Sequence, residues 1–263
     1  MRSITSNGMN NFSNTFSDIR VMTKRNLIKY RRVPQLLVFS TIQPVMFLLL
    51  FTYVFGGAIK TNASNYINFL LPGILVQTVL FGAMQTGIGL VEDLSRGMID
   101  RFRSLPMARS AVLAGRTITD IIRNLFVVGL MTVVGLFIGF RIDHGIFNFL
   151  GAVGLITLFG FAFSWVSATI GLAVKTPETA QVAGFIWVFP LAFGSSIFVP
   201  VESMSSTIRV FAEHNPISYV VNTVRALTLG FPVGNNIWFA LAWIIGIMVV
   251  FVPLAINRYR SIS

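Results

Sequence analysis

Apolar residues dominate this chain in six long stretches, and polar residues gather between them. The stretches at 36–58, 67–91, 118–140, 146–174, 181–200 and 237–256 each approach the roughly 20 residues that a helix needs to cross a bilayer core. The pattern predicts an all-α polytopic membrane protein with six transmembrane helices, forming one transmembrane domain over residues 1–263.

Two further elements are expected outside these stretches. Over 16–33, Phe16, Ile19, Met22, Leu27, Tyr30 and Val33 fall on one helical face, while Arg20, Lys24, Arg25, Lys29, Arg31 and Arg32 fall on the other; Pro34 ends the pattern. Such a helix lies in the headgroup plane, within a polar segment covering 1–35. The alternative is a charge cluster that only sets topology. The 201–236 segment is too apolar for free solution, through Ile208, Val210, Phe211, Ile217, Val220, Val221, Val224 and Leu227. Two short re-entrant helices broken at Asn215-Pro216 would satisfy its backbone. The alternative is a loop lying flat on headgroups, with Arg225 reaching the surface.

Composition sharpens the class. The chain is 54 % hydrophobic and 11 % charged, against about 25 % charged in soluble domains, and its mean hydropathy is +0.76. There are no cysteines, so disulfides and thiolate chemistry are excluded. The first 35 residues hold no early apolar run, so no cleavable signal peptide is expected. The net charge of +11 reads as topology rather than nucleic-acid binding, because no segment is long enough to build a soluble basic module. With six spans, 16 Lys/Arg fall on the side of both termini and four (Lys60, Arg141, Arg209 and Arg225) on the other. The basic side is expected to be cytoplasmic.

The acids narrow the energy source. Asp18, Glu92, Asp93, Asp100 and Glu178 fall in cytoplasmic segments; Asp143, Glu202 and Glu213 fall outside with both histidines; Asp120 sits at the inner end of span three, four residues after Arg116. The spacing allows an Arg116–Asp120 pair. An ion-coupled transporter is disfavoured, since no acid is expected at the midplane. Intramembrane hydrolysis is disfavoured for want of a nucleophile beside a base. No lysine follows a glycine, so the chain has no phosphate loop of its own.

The charged interruption "EDLSRGMIDRFRSLPMARSAVLAGR", residues 92–116, is where an external motor would grip. Glu92 and Asp93 can pair with Arg96, Gly97 permits a break and Pro106 ends the short stretch beyond it. Between them Met98, Ile99, Phe102 and Leu105 line one side of a short helix, with Asp100, Arg101 and Arg103 on the rest. Such a helix suits docking into a partner groove; equally, its arginines could only fix topology while Phe102 and Leu105 rest on headgroups.

This block resembles the cytoplasmic loop of the type-2 ABC exporter permeases, specifically the daunorubicin-resistance permease group. The stretch 189–230 is similar to a second block of that family, through Pro190, Pro200, Asn215-Pro216, Arg225 and Leu229-Gly230, and "KTPETAQ" at 175–181 resembles its short loop before span five. The likeness runs over nearly the whole chain in order. It implies a permease of a bacterial cytoplasmic membrane, paired with a second permease (the same chain or another) and with two cytoplasmic ABC ATPase subunits. ATP and Mg would be bound by the ATPases, with no cofactor in this chain. The 16–33 helix would be the connecting helix. Residues 97–106 would be the coupling helix. The outer helices, with Pro190, Pro200, Asn215, Pro216 and Arg225, would help close the exit for a hydrophobic or amphiphilic drug, antibiotic or lipid-like compound. A passive channel or scaffold and an ion-coupled secondary transporter are the competing classes. Gln43, Gln77, Gln85, Thr86, Ser164, Ser167, Ser195 and Ser196 are polar positions within spans, suited to a substrate path or to bonds between helices. Gly82, Thr86, Gly87 and Gly89 mark a close helix approach.

Overall fold

A computed structural model describes residues 20–28, 32, 35–59, 61, 63, 65–95 and 109–261. Among the described residues every regular element is helical. Residues 20–28 form α1, with Met22 buried and Arg20 and Lys24 exposed, as the amphipathic pattern demands. Then follow α2 (Gln35–Leu50), drawn out by a π-turn at Phe51–Phe55, α3 (Tyr66–Ser95), α4 (Arg109–Ile138), α5 (Ile146–Gly171) and α6 (Pro177–Phe193). A 3₁₀ turn at Val201–Ser203 leads to α7 (Ser206–His214), α8 (Pro216–Leu229) and α9 (Asn236–Ser261).

A helix stands at each of the six apolar stretches. Four are long and apolar enough to cross a membrane: Tyr66–Ser95, Ala114–Ile138, Ile146–Gly171 and Asn236–Tyr259. The first and fifth stretches form shorter helices, α2 of 16 residues and α6 of 17.

The fifth helix ends at Phe193, earlier than the apolar run to Pro200 suggests. Ser195 turns its hydroxyl onto the Ala192 carbonyl at 2.6 Å, and residues 194–200 continue without helix. Such local hydroxyl bonds compete with the helical ladder. At its start α6 has a capped geometry: Thr176 accepts from the Thr179 N–H and Pro177 occupies the first turn, where its missing N–H costs nothing.

The centre of the bundle is α3, against which α2, α4, α5, α6 and α8 pack. Its apolar stretch is 89 % buried inside the chain, against 17 % for α9. At 30 residues it is about 45 Å long, so α3 is a shaft within a ring of helices while α9 turns most of its surface outward. The closest crossing is with α5. A Cβ on Gly87 would run into the Ser167 carbonyl, and one on Gly171 would meet the Gly87 backbone. Glycine there lets two backbones touch, the small-residue packing expected where lipid supplies no hydrophobic drive.

The 201–236 segment breaks where its sequence implies. Asn215 caps α8 by accepting from the Ile217 N–H, and Pro216 opens the helix. α8 does not lie on the surface: Ile217, Val220, Val221 and Val224 are fully enclosed and Arg225 is buried, which rules out a flat loop with Arg225 at its surface. α7 is the exposed partner, with Ile208, Val210 and Phe211 turned outward.

Gly87→Ala should destabilise by about 1–3 kcal/mol, because the added methyl meets unyielding backbone. Gly129→Ala on α4 meets nothing within 4 Å and should be neutral or stabilise by about 0.5–1 kcal/mol through helix propensity. Unfolding of both variants in the same detergent measures the contrast; equal effects would contradict the α3–α5 contact.

Candidate functional site

Polar chemistry concentrates at three levels along α3. The first is its last turns, at the root of the charged segment. Of the residues singled out there, Glu92 and Asp93 are described; Arg96, Gly97, Ile99, Asp100, Arg101, Phe102, Arg103, Leu105 and Pro106 lie outside the described residues. Asp93 bonds Arg116 of α4 at 2.9 Å, and Arg25 of α1 approaches it at 4.0 Å. Beside them Thr23 donates to the Gly115 carbonyl at 3.3 Å. One carboxylate thus stands between three helices. The Arg116 guanidinium reaches it by lying across Gly89, where any Cβ would overlap it.

This corrects the expected Arg116–Asp120 pair. Arg116 leaves its own helix for Asp93, and Asp120 turns into the bundle. There, at the second level, Asp120 accepts from Thr86 at 2.6 Å and pairs with Arg123 at 3.4 Å. Arg123 also donates to the Gly82 carbonyl at 2.6 Å and to Asn124 at 3.2 Å. Asp120, Arg123 and Asn124 are all buried. Gly82 lies 13 residues before the end of α3, about 20 Å along its axis. Asp120 and Arg123, expected at a membrane edge, therefore reach well into the bundle. The clue lay in Gly82 and Thr86, the small residues that leave room for them.

Arg123 and Asn124 also line a cavity of about 300 Å³ between α2, α3, α4 and α6. Gln43, Gln77 and Gln85 open onto it, joined by Gln181, with Phe47, Phe81, Phe185 and Phe189 as its apolar walls. Three of the polar positions read from the sequence thus share one space. Thr86 instead bonds α4, Ser164 turns back onto the Phe161 carbonyl, and Ser195 and Ser196 belong to the third level. The Ser167 hydroxyl is buried without a hydrogen-bond partner.

The third level is the opposite end of α3. Arg225 of α8 donates to the carbonyls of Phe69 (2.8 Å) and Ile197 (2.9 Å), and its guanidinium carbon stands 3.4 Å from the Phe69 ring centre. Tyr66 donates to the Phe198 carbonyl at 2.9 Å. Asn215 donates to the carbonyls of Leu191 (2.8 Å) and Gly194 (2.9 Å); Gly194 in turn bonds the Pro190 carbonyl. Ser196 bonds Ser218 and Asn222 of α8. The non-helical 194–200 segment is thereby pinned between α3 and α8. Pro190, Asn215, Pro216 and Arg225 belong to this one assembly, and Pro200 begins the 3₁₀ turn just beyond it. On exposed α7, the hydrogen bond from Arg209 to Glu213, at 2.8 Å, holds the guanidinium above its usual range.

Long apolar helices around a buried shaft, with every buried cation bound to backbone or carboxylate, define a polytopic helical membrane protein. The ABC-2 type transporter family matches residues 17–229, and the chain belongs to that family: it is a membrane permease of an ABC transporter. It is 36 % identical over 239 residues to the daunorubicin resistance ABC transporter permease protein DrrB1 of Streptomyces coeruleorubidus, covering 90 % of this chain and 84 % of that one. It is 29 % identical over 245 residues to the probable doxorubicin resistance ABC transporter permease protein DrrC of Mycobacterium tuberculosis, covering 92 % and 88 %. The putative transport permease ycf38 of Cyanophora paradoxa is 27 % identical over 216 residues, covering 80 % and 73 %.

Asp120→Ala strands the Arg123 cation and should cost about 3–5 kcal/mol, whereas Asp120→Leu with Arg123→Met removes both charges and should cost less. Thermal unfolding of the variants in one detergent tests this; a double variant weaker than the single would contradict a true buried pair.

Proposed function

We propose that this chain is one half of a permease pair that carries a hydrophobic or amphiphilic compound outward through a bacterial cytoplasmic membrane. The pair is powered by two ABC ATPase subunits that bind ATP and Mg. Six helices cross the membrane, α2, α3, α4, α5, α6 and α9, with both termini in the cytoplasm. α7 and α8 re-enter the outer leaflet. The segment 92–117 is the coupling loop: Gly97 and Pro106 delimit a short helix whose Ile99, Phe102 and Leu105 seat on the ATPase, with Asp100, Arg101 and Arg103 bonding around them. Pro190, Pro200, Asn215, Pro216 and Arg225 belong to the outer gate.

What supports this reading most is the junction at Asp93. The two helices that enter and leave the coupling loop are tied there to each other through Arg116, with Arg25 of the amphipathic helix nearby. A push on the loop then moves three helices rather than bending one. The relatives' names supply the substrate class: resistance to daunorubicin and doxorubicin fits a bulky amphiphile.

The test is co-purification of the chain with its ATPase in nanodiscs, beside a Phe102→Ala/Arg101→Ala variant. The wild type should retain the ATPase and stimulate it, and the folded variant should lose most of either property. A variant that binds and stimulates as before would reduce the loop to a topology signal.

A further inference from the structure

The cavity between α2, α3, α4 and α6 has the features of a built site rather than a packing defect. At its floor Gln77, only 3 % exposed, presents a side-chain oxygen with no hydrogen-bond partner. An unmet buried amide costs about 1–3 kcal/mol, a cost that an occupant able to donate a hydrogen bond removes. At its mouth Gln43, Gln85 and Gln181 are exposed on the bundle's surface. Gln85 is the twentieth residue of the 30-residue α3, far from either end. Amides at that depth are poorly matched to hydrocarbon, so the mouth opens toward water, a ligand or protein rather than lipid tails.

The walls narrow the chemistry. Phe189 meets Phe81 edge-on, at 5.8 Å and 88°, and Phe185 at 5.2 Å and 61°. Both faces and edges of rings are therefore offered to a flat π-system. The volume, about 300 Å³, sits at the small end of ligand sites and limits the enclosed part to a compact body. Charge then selects among such bodies. Among the described residues no acid lines the cavity, and its one charged lining group is Arg123; Asp120, its partner, does not line it. The pair is neutral as a whole but turns its positive member toward the occupant.

We infer that this cavity binds a compact planar aromatic compound bearing hydroxyl or carbonyl groups, and discriminates against one bearing a cationic amine there. A hydroxyl donates to Gln77, carbonyl oxygens accept from Arg123 or the glutamine amides, and an ammonium meets Arg123 with no facing carboxylate. The inference rests on the exporter reading for the site's part in transport, while binding itself does not need the ATPase.

The experiment uses the full chain in nanodiscs, with 1,8-dihydroxyanthraquinone and the same ring carrying an aminomethyl group as probes. Saturable binding is measured above empty nanodiscs, and ATPase retention is scored in parallel. The neutral probe should bind about tenfold more tightly or better, and Gln77→Leu should weaken it about tenfold. Asp120→Asn with Arg123→Gln should erase the preference between probes. Equal binding of both probes, preference for the amine, no saturable binding, or a folded Gln77→Leu with unchanged affinity would each overturn the site. If Gln77→Leu does not fold, Gln85→Leu at the exposed mouth and Phe185→Leu at the wall are measured in its place: weakened binding supports the site, and unchanged affinity overturns it. Lost binding with the ATPase retained sinks the site alone; a lost ATPase with binding intact sinks the exporter reading alone.

Discussion

Three arginines hold α3, and much of the structure follows from where they grip. Arg225 bonds its first turn through Phe69, Arg123 bonds its middle through Gly82, and Arg116 lies over Gly89 to reach Asp93 near its end. In a bundle interior a guanidinium must find acceptors for its donors, because water cannot supply them. The backbone carbonyls and the single carboxylates of Asp93 and Asp120 do so. Each grip joins α3 to a different stretch of neighbour: α8 at one end, the middle of α4, and the start of α4 at the other. A helix clasped in this way shifts with its neighbours or not at all.

That constraint gives the proposed transport cycle its geometry. Force entering at Asp93 meets a shaft about 45 Å long, whose far end carries the Arg225 assembly and the pinned 194–200 segment. The cavity opens beside the shaft at the level of Gln77 and Arg123, between the two ends. α9, the most outward of the long helices, takes no part in the three arginine contacts. It supplies the apolar surface a bilayer requires while the polar work stays around α3.

Much of this was legible in the order of residues. Helices stand at all six apolar runs because only a helix satisfies its own backbone in an apolar setting. The α7–α8 break was readable from an asparagine cap followed by proline. Gly82, Gly87 and Gly89 were readable as contact points, though not what each would touch. Asp120 was misread because spacing along one helix is local information. Arg116 and Asp120 share a face, but the rotation of α4 against α3 sends them to different partners. The end of α6 was hidden because Ile197, Phe198 and Val199 are as apolar as a membrane span, while Ser195 and Asn215 decide the chain's path there. Nor could spacing announce the cavity, whose four glutamines come from three helices and meet only through packing.

The central claim, that a disturbance at Asp93 reaches the far end through α3, can be measured directly. The chain has no cysteine, so Val210→Cys on exposed α7 takes a single fluorescent label. In the complex with its ATPase, ATP binding should change the label's emission, and Asp93→Asn should abolish that change while the ATPase stays bound. An unaltered response in the Asp93→Asn complex would mean that motion reaches the outer end by another route.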